Sequence, residues 1–194
     1  MHETGHAVFT HMHTGFLVVN SVTIEKSVHG SGVNHIIALR DTTIDIVDAF
    51  NFIVANVAGI VIEFTFEAGK RNDEQMLVNI FMYIKKRLTL GDSTKDSFDG
   101  DLANIMPTLN VLSEKLNQDK EKIIGLAVIF IHRCLSNLQG LWEIVDEFSD
   151  ELITHKTLDK VKIDEIFKRT GYETLIIKHR KYLREEVKSM LESI

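Results

Sequence analysis

The sequence begins with the stretch Met1–His6, which reads MHETGH and contains the pattern HExxH. Side chains four residues apart on an α-helix lie one above the other, so His2 and His6 can offer two imidazole nitrogens to one ion. Glu3 lies beside that pair, where a carboxylate can take a proton from a metal-bound water. This arrangement is typical of zinc peptidases and predicts a metal site on the first helix. The alternative is a pair of exposed histidines on a frayed helix end.

A metal ion held by HExxH needs a further ligand, because a catalytic zinc usually has three protein ligands and a water. Metzincins have a glycine three residues and a third histidine ligand six residues after the second histidine. This chain has Phe9 and Met12 at those positions, which excludes that class. His29 and His35 lie in the region after the first helix and remain open as ligands, although such histidines are more often surface residues.

Two carboxylates are further candidates for the third ligand: Glu63 near the end of an apolar helix, and Asp73 at the start of the next. The polar residues of the apolar helix share one face, so Glu63 either faces solvent or looks into the site. Asp73 lies one turn before Leu77, on the face that its helix buries. A first-turn carboxylate usually interacts only with the helix dipole, but one that points inward needs a positive partner. The sequence therefore favours Asp73.

The composition indicates one domain with an acidic balance. The chain has 194 residues, of which 44% are hydrophobic, so it can bury a sizeable core. Its net charge of −6 argues against a nucleic-acid partner, which would need a basic face on the protein. The single cysteine, Cys134, excludes an internal disulfide and fits a reducing compartment. Because the N-terminus is polar and no signal peptide is visible, we expect a cytoplasmic protein.

Hydrophobic periodicity predicts a mainly α-helical fold with a small β element directly after the HExxH helix. The first helix should end near Gly15, and β-branched residues over 16–26 and 33–39 predict two pairing strands. A buried apolar helix should reach Phe66, and a second helix should follow from Asn72. Residues 1–90 would then contain the metal site and the β element of a single domain spanning residues 1–194.

The remainder of that domain, residues 91–194, should form a long helical bundle or hairpin. A loop is expected up to Gly100, followed by a helix from Asp101 to about Gln118. Apolar residues recur every seven positions between Lys120 and His155, which predicts one long helix or two helices broken near Gly140. The segment 157–159 should be a turn, with helices over 163–169 and 172–194.

Several segments resemble, in the same order, the peptidase domain of the FtsH family of ATP-dependent zinc proteases. They are HETGHAV at 2–8, VTI at 22–24, VAG at 57–59, ND at 72–73 and LITHKTLD at 152–159. The family patterns are HEAGHA, a VTI strand, an AGR-type helix, an SND-type turn and an LLE-KETLD turn. The resemblance therefore covers nearly the whole chain.

This resemblance implies a zinc-dependent metalloendopeptidase that acts on polypeptides. Carried over by position, His2, His6 and Asp73 would bind Zn²⁺, because the aspartate of the SND-type turn is the family's third ligand, and Glu3 would be the general base. FtsH-type proteases are ring hexamers with an ATPase module. This sequence has no P-loop, so the resemblance also implies a separate or missing ATPase, and a homo-oligomer is a further expectation.

Two functions therefore compete at the level of sequence. In the first, the chain hydrolyses peptide bonds, and its substrate adds as an extended strand to the edge of the β element near 32–37. In the second, it is a catalytically inactive peptidase-like helical domain that serves binding or oligomerisation. A third interpretation is that HETGH arises by chance on an unrelated helical bundle.

Overall fold

The computed structural model describes residues 1–12, 17–27, 30–38, 45–69, 74–90 and 97–194. These residues form eight α-helices and three β-strands, which confirms the mainly helical fold with a small β element. In chain order the elements are α1 (His2–Met12), β1 (Leu17–Ser27), β2 (Gly30–Ala38), α2 (Ile46–Glu67), α3 (Glu74–Leu90), α4 (Ser97–Leu116), α5 (Lys120–Asn137), α6 (Leu141–His155), β3 (Thr157–Asp159), α7 (Lys160–Arg169) and α8 (Tyr172–Glu192).

The helix α2 is the centre of the hydrophobic core and packs against α1, α4 and α5. Its N-cap is Asp45, whose carboxylate accepts a 2.7 Å hydrogen bond from the Asp48 N–H. By length and composition α2 could cross a membrane, but 72% of its most apolar window is buried inside the fold. That burial is the behaviour predicted for a core helix.

The sheet has the order β2-β1-β3, and both pairings are antiparallel. The prediction of two strands after α1 is confirmed, but the prediction of a turn at 157–159 is wrong. Those residues form β3, in which Leu158 is opposite Val22 of β1 and both side chains are buried. The Thr23 and Thr157 hydroxyls also share a 2.8 Å hydrogen bond. A three-residue strand is too short for an alternating pattern, so only its docking on β1 reveals it.

The segment 120–155, in which apolar residues recur every seven positions, forms two helices, α5 and α6, which meet at an angle of 100°. Gly140 lies at the break with a φ of +92°, a left-handed conformation that glycine adopts without steric cost. The seventh-position residues on both sides of the break are nevertheless buried, as Ile131 and Val145 show. Of the two alternatives left open by the sequence, the broken pair is therefore the one observed.

The helix α4 begins at Ser97 instead of at Asp101, so the predicted start was one turn too late. Pro107 lies inside this helix and contributes no N–H to it. The buried side of α4 is formed by Leu102, Ile105, Leu109 and Leu112. The earlier start places Asp101 within the helix, one turn before Ile105, and so directs it toward the core side.

Candidate metal centre

Three side chains from two helices converge on one point of the structure. The Nε2 atoms of His2 and His6 on α1 are 3.0 Å apart. The Oδ2 atom of Asp101 on α4 lies 3.0 Å from the first and 3.1 Å from the second. A tetrahedral zinc ion, with bonds of about 2.0–2.2 Å, keeps its ligand atoms about 3.3 Å apart. A slight expansion of this triangle would therefore fit an ion bound by two imidazoles and one carboxylate.

The outward-facing nitrogens of both imidazoles are held by hydrogen bonds to acceptors on α2. The Nδ1 of His6 lies 2.8 Å from the Ala55 carbonyl oxygen, and the Nδ1 of His2 lies 2.9 Å from Oε2 of Glu63. A carbonyl only accepts, so Nδ1 of His6 carries the hydrogen, and a neutral His6 then has its Nε2 lone pair directed at the site. Hydrogen bonds of this kind orient the histidines of metal sites and increase their basicity.

The electrostatics of the cluster favour a positive charge among the three atoms. Burial, the largest single effect, lowers the pKa of His2, but hydrogen bonds to Asp101 and Glu63 outweigh it and raise that pKa to about 9. Burial acts to raise the pKa of the Asp101 carboxyl, yet its hydrogen bonds with His2 and His6 bring the net pKa below its ordinary value. Two imidazole nitrogens and a carboxylate oxygen at such short range need a proton or a cation between them.

The first turn of α1 is anchored in the fold, although it begins at the second residue of the chain. Thr4 is fully buried, and its hydroxyl shares a 2.8 Å hydrogen bond with the hydroxyl of Ser149 on α6. The Gly5 N–H donates a 3.0 Å hydrogen bond to the Met1 carbonyl. His6 is only 5% exposed. The alternative of two exposed histidines on a frayed helix end is therefore wrong.

Two glycines let α1 and α2 approach closely enough to form the site. A Cβ atom added to Gly5 would lie 2.6 Å from the Ala58 carbonyl oxygen. A Cβ atom added to Gly59 would lie 2.5 Å from Nε2 of His6 and 3.0 Å from Nε2 of His2. The missing side chain of Gly59 thus leaves room where the Nε2 atoms of the two histidines meet, and any larger residue would displace them.

The structure brings some of the predicted site residues together, whereas others lie outside the residues that it describes. His2 and His6 lie together as expected, and Glu3 lies half-buried on the same helix, where its charge helps to raise the pKa of His2. Glu63 looks into the site, as one of its two alternatives required, but it contacts the outer nitrogen of His2. Asp73 lies outside the described residues, so its prediction as a ligand stays untested, and so do His29 and the side chain of His35.

Asp101 is the site residue that the sequence analysis missed. It is 95 positions from His6, and no motif links the two. A signal was nevertheless present, because Asp101 precedes the apolar series Ile105, Leu109 and Leu112 by one turn. That is the same inward-facing carboxylate pattern that favoured Asp73.

Comparison with protein families and with curated proteins identified no relative of this chain. No protein-family model matches the chain, and no curated protein matches it significantly. The resemblance to the FtsH peptidase domain therefore stays a prediction from the quoted segments. The geometry of His2, His6 and Asp101 stands independently of it.

Proposed function

We propose that this chain is a zinc-dependent metalloendopeptidase whose ion is held by His2, His6 and Asp101. The observation that carries the proposal is the convergence of the two histidine Nε2 atoms and the Asp101 Oδ2 atom at 3.0–3.1 Å, with the outer nitrogen of each imidazole hydrogen-bonded to an acceptor on α2. Two imidazoles and one carboxylate, with a fourth position left for water, are one of the donor sets found in catalytic zinc sites. The HExxH order of the first two ligands supports peptidase chemistry.

The protein's own part in hydrolysis falls to Glu3 and the three ligands. When bound, the ion supplies Lewis acidity, which makes water a stronger acid and polarises a carbonyl group. Glu3 takes a proton from the attacking water and passes it to the leaving amine of the cleaved peptide bond. Glu63 and the Ala55 carbonyl keep the imidazoles oriented throughout, because they accept from the Nδ1 atoms.

The edge strand β2 is the best supported place for the substrate backbone. β1 is the central strand of the sheet, so β2 presents an outer edge that no described strand occupies. Both helices that carry ligands, α1 and α4, pack against β2. An extended polypeptide that adds to this edge, near 32–37, would run beside the metal centre and be held by main-chain hydrogen bonds. Replacing Gly32 with proline should then reduce cleavage without loss of zinc.

The test is zinc content by elemental analysis, together with cleavage of casein by wild type, Glu3→Gln and the exposed control Glu143→Gln. The proposal requires that wild type and Glu143→Gln bind zinc and cleave casein, and that Glu3→Gln binds zinc without cleaving. Zinc binding with no cleavage by wild type would instead support the inactive peptidase-like domain. A wild-type chain that binds no zinc would overturn both the metal site and the proposed activity.

A further inference from the structure

A second surface of the molecule, formed by α3 and α5, is distinct from the metal centre. The two helices leave an open groove of about 530 Å³ between them, which we call the α3/α5 groove. Its walls and floor are apolar. They are formed by Leu77, Val78 and Phe81 of α3 and by Gly125, Leu126 and Ile129 of α5.

The contacts between the two helices show that they run in opposite directions. Lys85 near the end of α3 forms a 2.8 Å ion pair with Glu121 at the start of α5. One turn earlier in α3, the Phe81 ring lies so close to Gly125 that an added Cβ would be 3.3 Å away. Continuing in this direction, Glu74 lies at the end of the groove that contains Ile129.

The charged residues that line the groove are therefore at opposite ends of it. Glu74 contributes a carboxylate at the Ile129 end, and Lys122 contributes an ammonium at the other end. Lys85 and Glu121, also at the Lys122 end, neutralise each other in their ion pair. The groove is thus an apolar strip with one negative and one positive end.

Several large apolar side chains along the strip are exposed to solvent. Val78 and Met82 lie one turn apart on α3 and are 52% and 56% exposed, and Ile129 across the groove is 38% exposed. Single exposed apolar residues are common, but a contiguous apolar strip with charged ends is typical of an interaction surface.

We propose that the α3/α5 groove is the interface of a symmetric dimer, with a second copy of this chain as its occupant. The two-fold axis lies in the interface, perpendicular to the long direction of the strip, and therefore exchanges the two ends of the strip. Glu74 then meets the partner's Lys122, and the same pair forms again at the other end. The exposed side chain of Val78 then packs into the opposing groove. The strip is self-complementary in charge, which favours a second copy over an unrelated partner.

The dimensions of the strip set the expected strength of the dimer. The strip runs from Glu74 to about Lys85, which is about 16 Å of helix, and two adjacent helices are about 20 Å wide, so each copy covers roughly 300 Å². The total of roughly 600 Å² is below the size of stable specific interfaces and is typical of a weak contact. We therefore expect a weak, reversible dimer with a dissociation constant on the order of 100 μM. The inference does not rest on the proposed function, so the dimer should persist when zinc is removed with a chelator.

Sedimentation velocity of the full chain, between about 1 and 200 μM, tests this inference across the micromolar range. Val78→Asp should weaken dimerisation at least tenfold, whereas Ile177→Asp, at an even more exposed apolar position on α8, should leave it unchanged. Glu74→Lys and Lys122→Glu should each weaken the dimer, and the double variant should restore it. These positions are solvent-exposed, so the fold is expected to survive, and circular dichroism checks this.

Restoration by the charge exchange is the decisive result, because it requires that the two residues meet across the interface. A chain that stays monomeric at every concentration would overturn the inference. So would a dimer that tolerates Val78→Asp, or a double variant no better than the single ones.

Discussion

Replacing Gly59 with alanine tests whether the space between the two histidine nitrogens is needed for a metal ion. In the interior of an ordinary helix this change would stabilise the fold by up to about 1 kcal/mol. Here the new Cβ would lie 2.5 Å from Nε2 of His6, about 0.9 Å short of ordinary contact. His6 cannot move away freely, because its Nδ1 donates to the Ala55 carbonyl on the same helix that carries Gly59.

The expected effect is a large loss of zinc affinity. Metal ligands must be positioned to within about 0.2 Å, and loss of a supporting contact alone costs 10–100-fold in affinity. A displacement of both Nε2 atoms should therefore cost at least about 100-fold, or about 2.8 kcal/mol. Competition with a chromophoric chelator measures this change directly, and urea unfolding with a chelator present measures the stability of the fold.

The matched control for this variant is Gly100→Ala. Gly100 is also helical and adjoins the proposed ligand Asp101, but a Cβ there would meet nothing within 4 Å. It should bind zinc as wild type does. If Gly59→Ala also kept wild-type affinity, the space beside Gly59 and the two Nε2 atoms would not be the metal position.

Three further variants probe the surroundings of the site and the fold. Glu63→Gln leaves His2 a weaker acceptor for its Nδ1–H, so zinc affinity should fall about 10–100-fold in the same chelator assay. Burial lowers the pKa of His11 to about 4, so its folded state binds fewer protons than the unfolded chain below pH 6.5. With a chelator present, His11 should therefore contribute a loss of about 2 kcal/mol between pH 7 and about pH 4.5, measured as the difference in pH dependence between wild type and His11→Phe. Gly140→Ala places a side chain at a residue with a φ of +92° and should lower the free energy of unfolding in urea by about 1–2 kcal/mol, with no change in zinc affinity. A free energy of unfolding equal to that of wild type would contradict the need for glycine at the break between α5 and α6.

Local sequence patterns predicted the parts of this structure that depend on neighbours in the chain. The spacing of His2 and His6 places both on one face of a helix, and that pair forms in the structure. The continuous apolar run of α2 identified the core helix, and β-branched residues identified β1 and β2. In each case the signal lies within one element, where helix or strand geometry converts spacing directly into position.

The parts that the sequence did not reveal depend on how distant elements dock. Asp101 reaches His2 only because α4 packs against α2, and that packing leaves no mark near either residue. β3 exists because β1 offers it a partner edge, since three residues alone do not specify a strand. The heptad pattern continued across Gly140, because residues on both sides of the 100° bend are buried in the same core.

Asp101 is proposed to be the third ligand of a zinc ion held by His2 and His6. The most direct measurement compares zinc stoichiometry and affinity in Asp101→Ala and Asp73→Ala, the two carboxylates that the structure and the sequence respectively favour. We predict that Asp101→Ala loses zinc under conditions where wild type holds one ion per chain, while Asp73→Ala retains it. Zinc retained by Asp101→Ala and lost by Asp73→Ala would contradict the assignment of Asp101 as the third ligand.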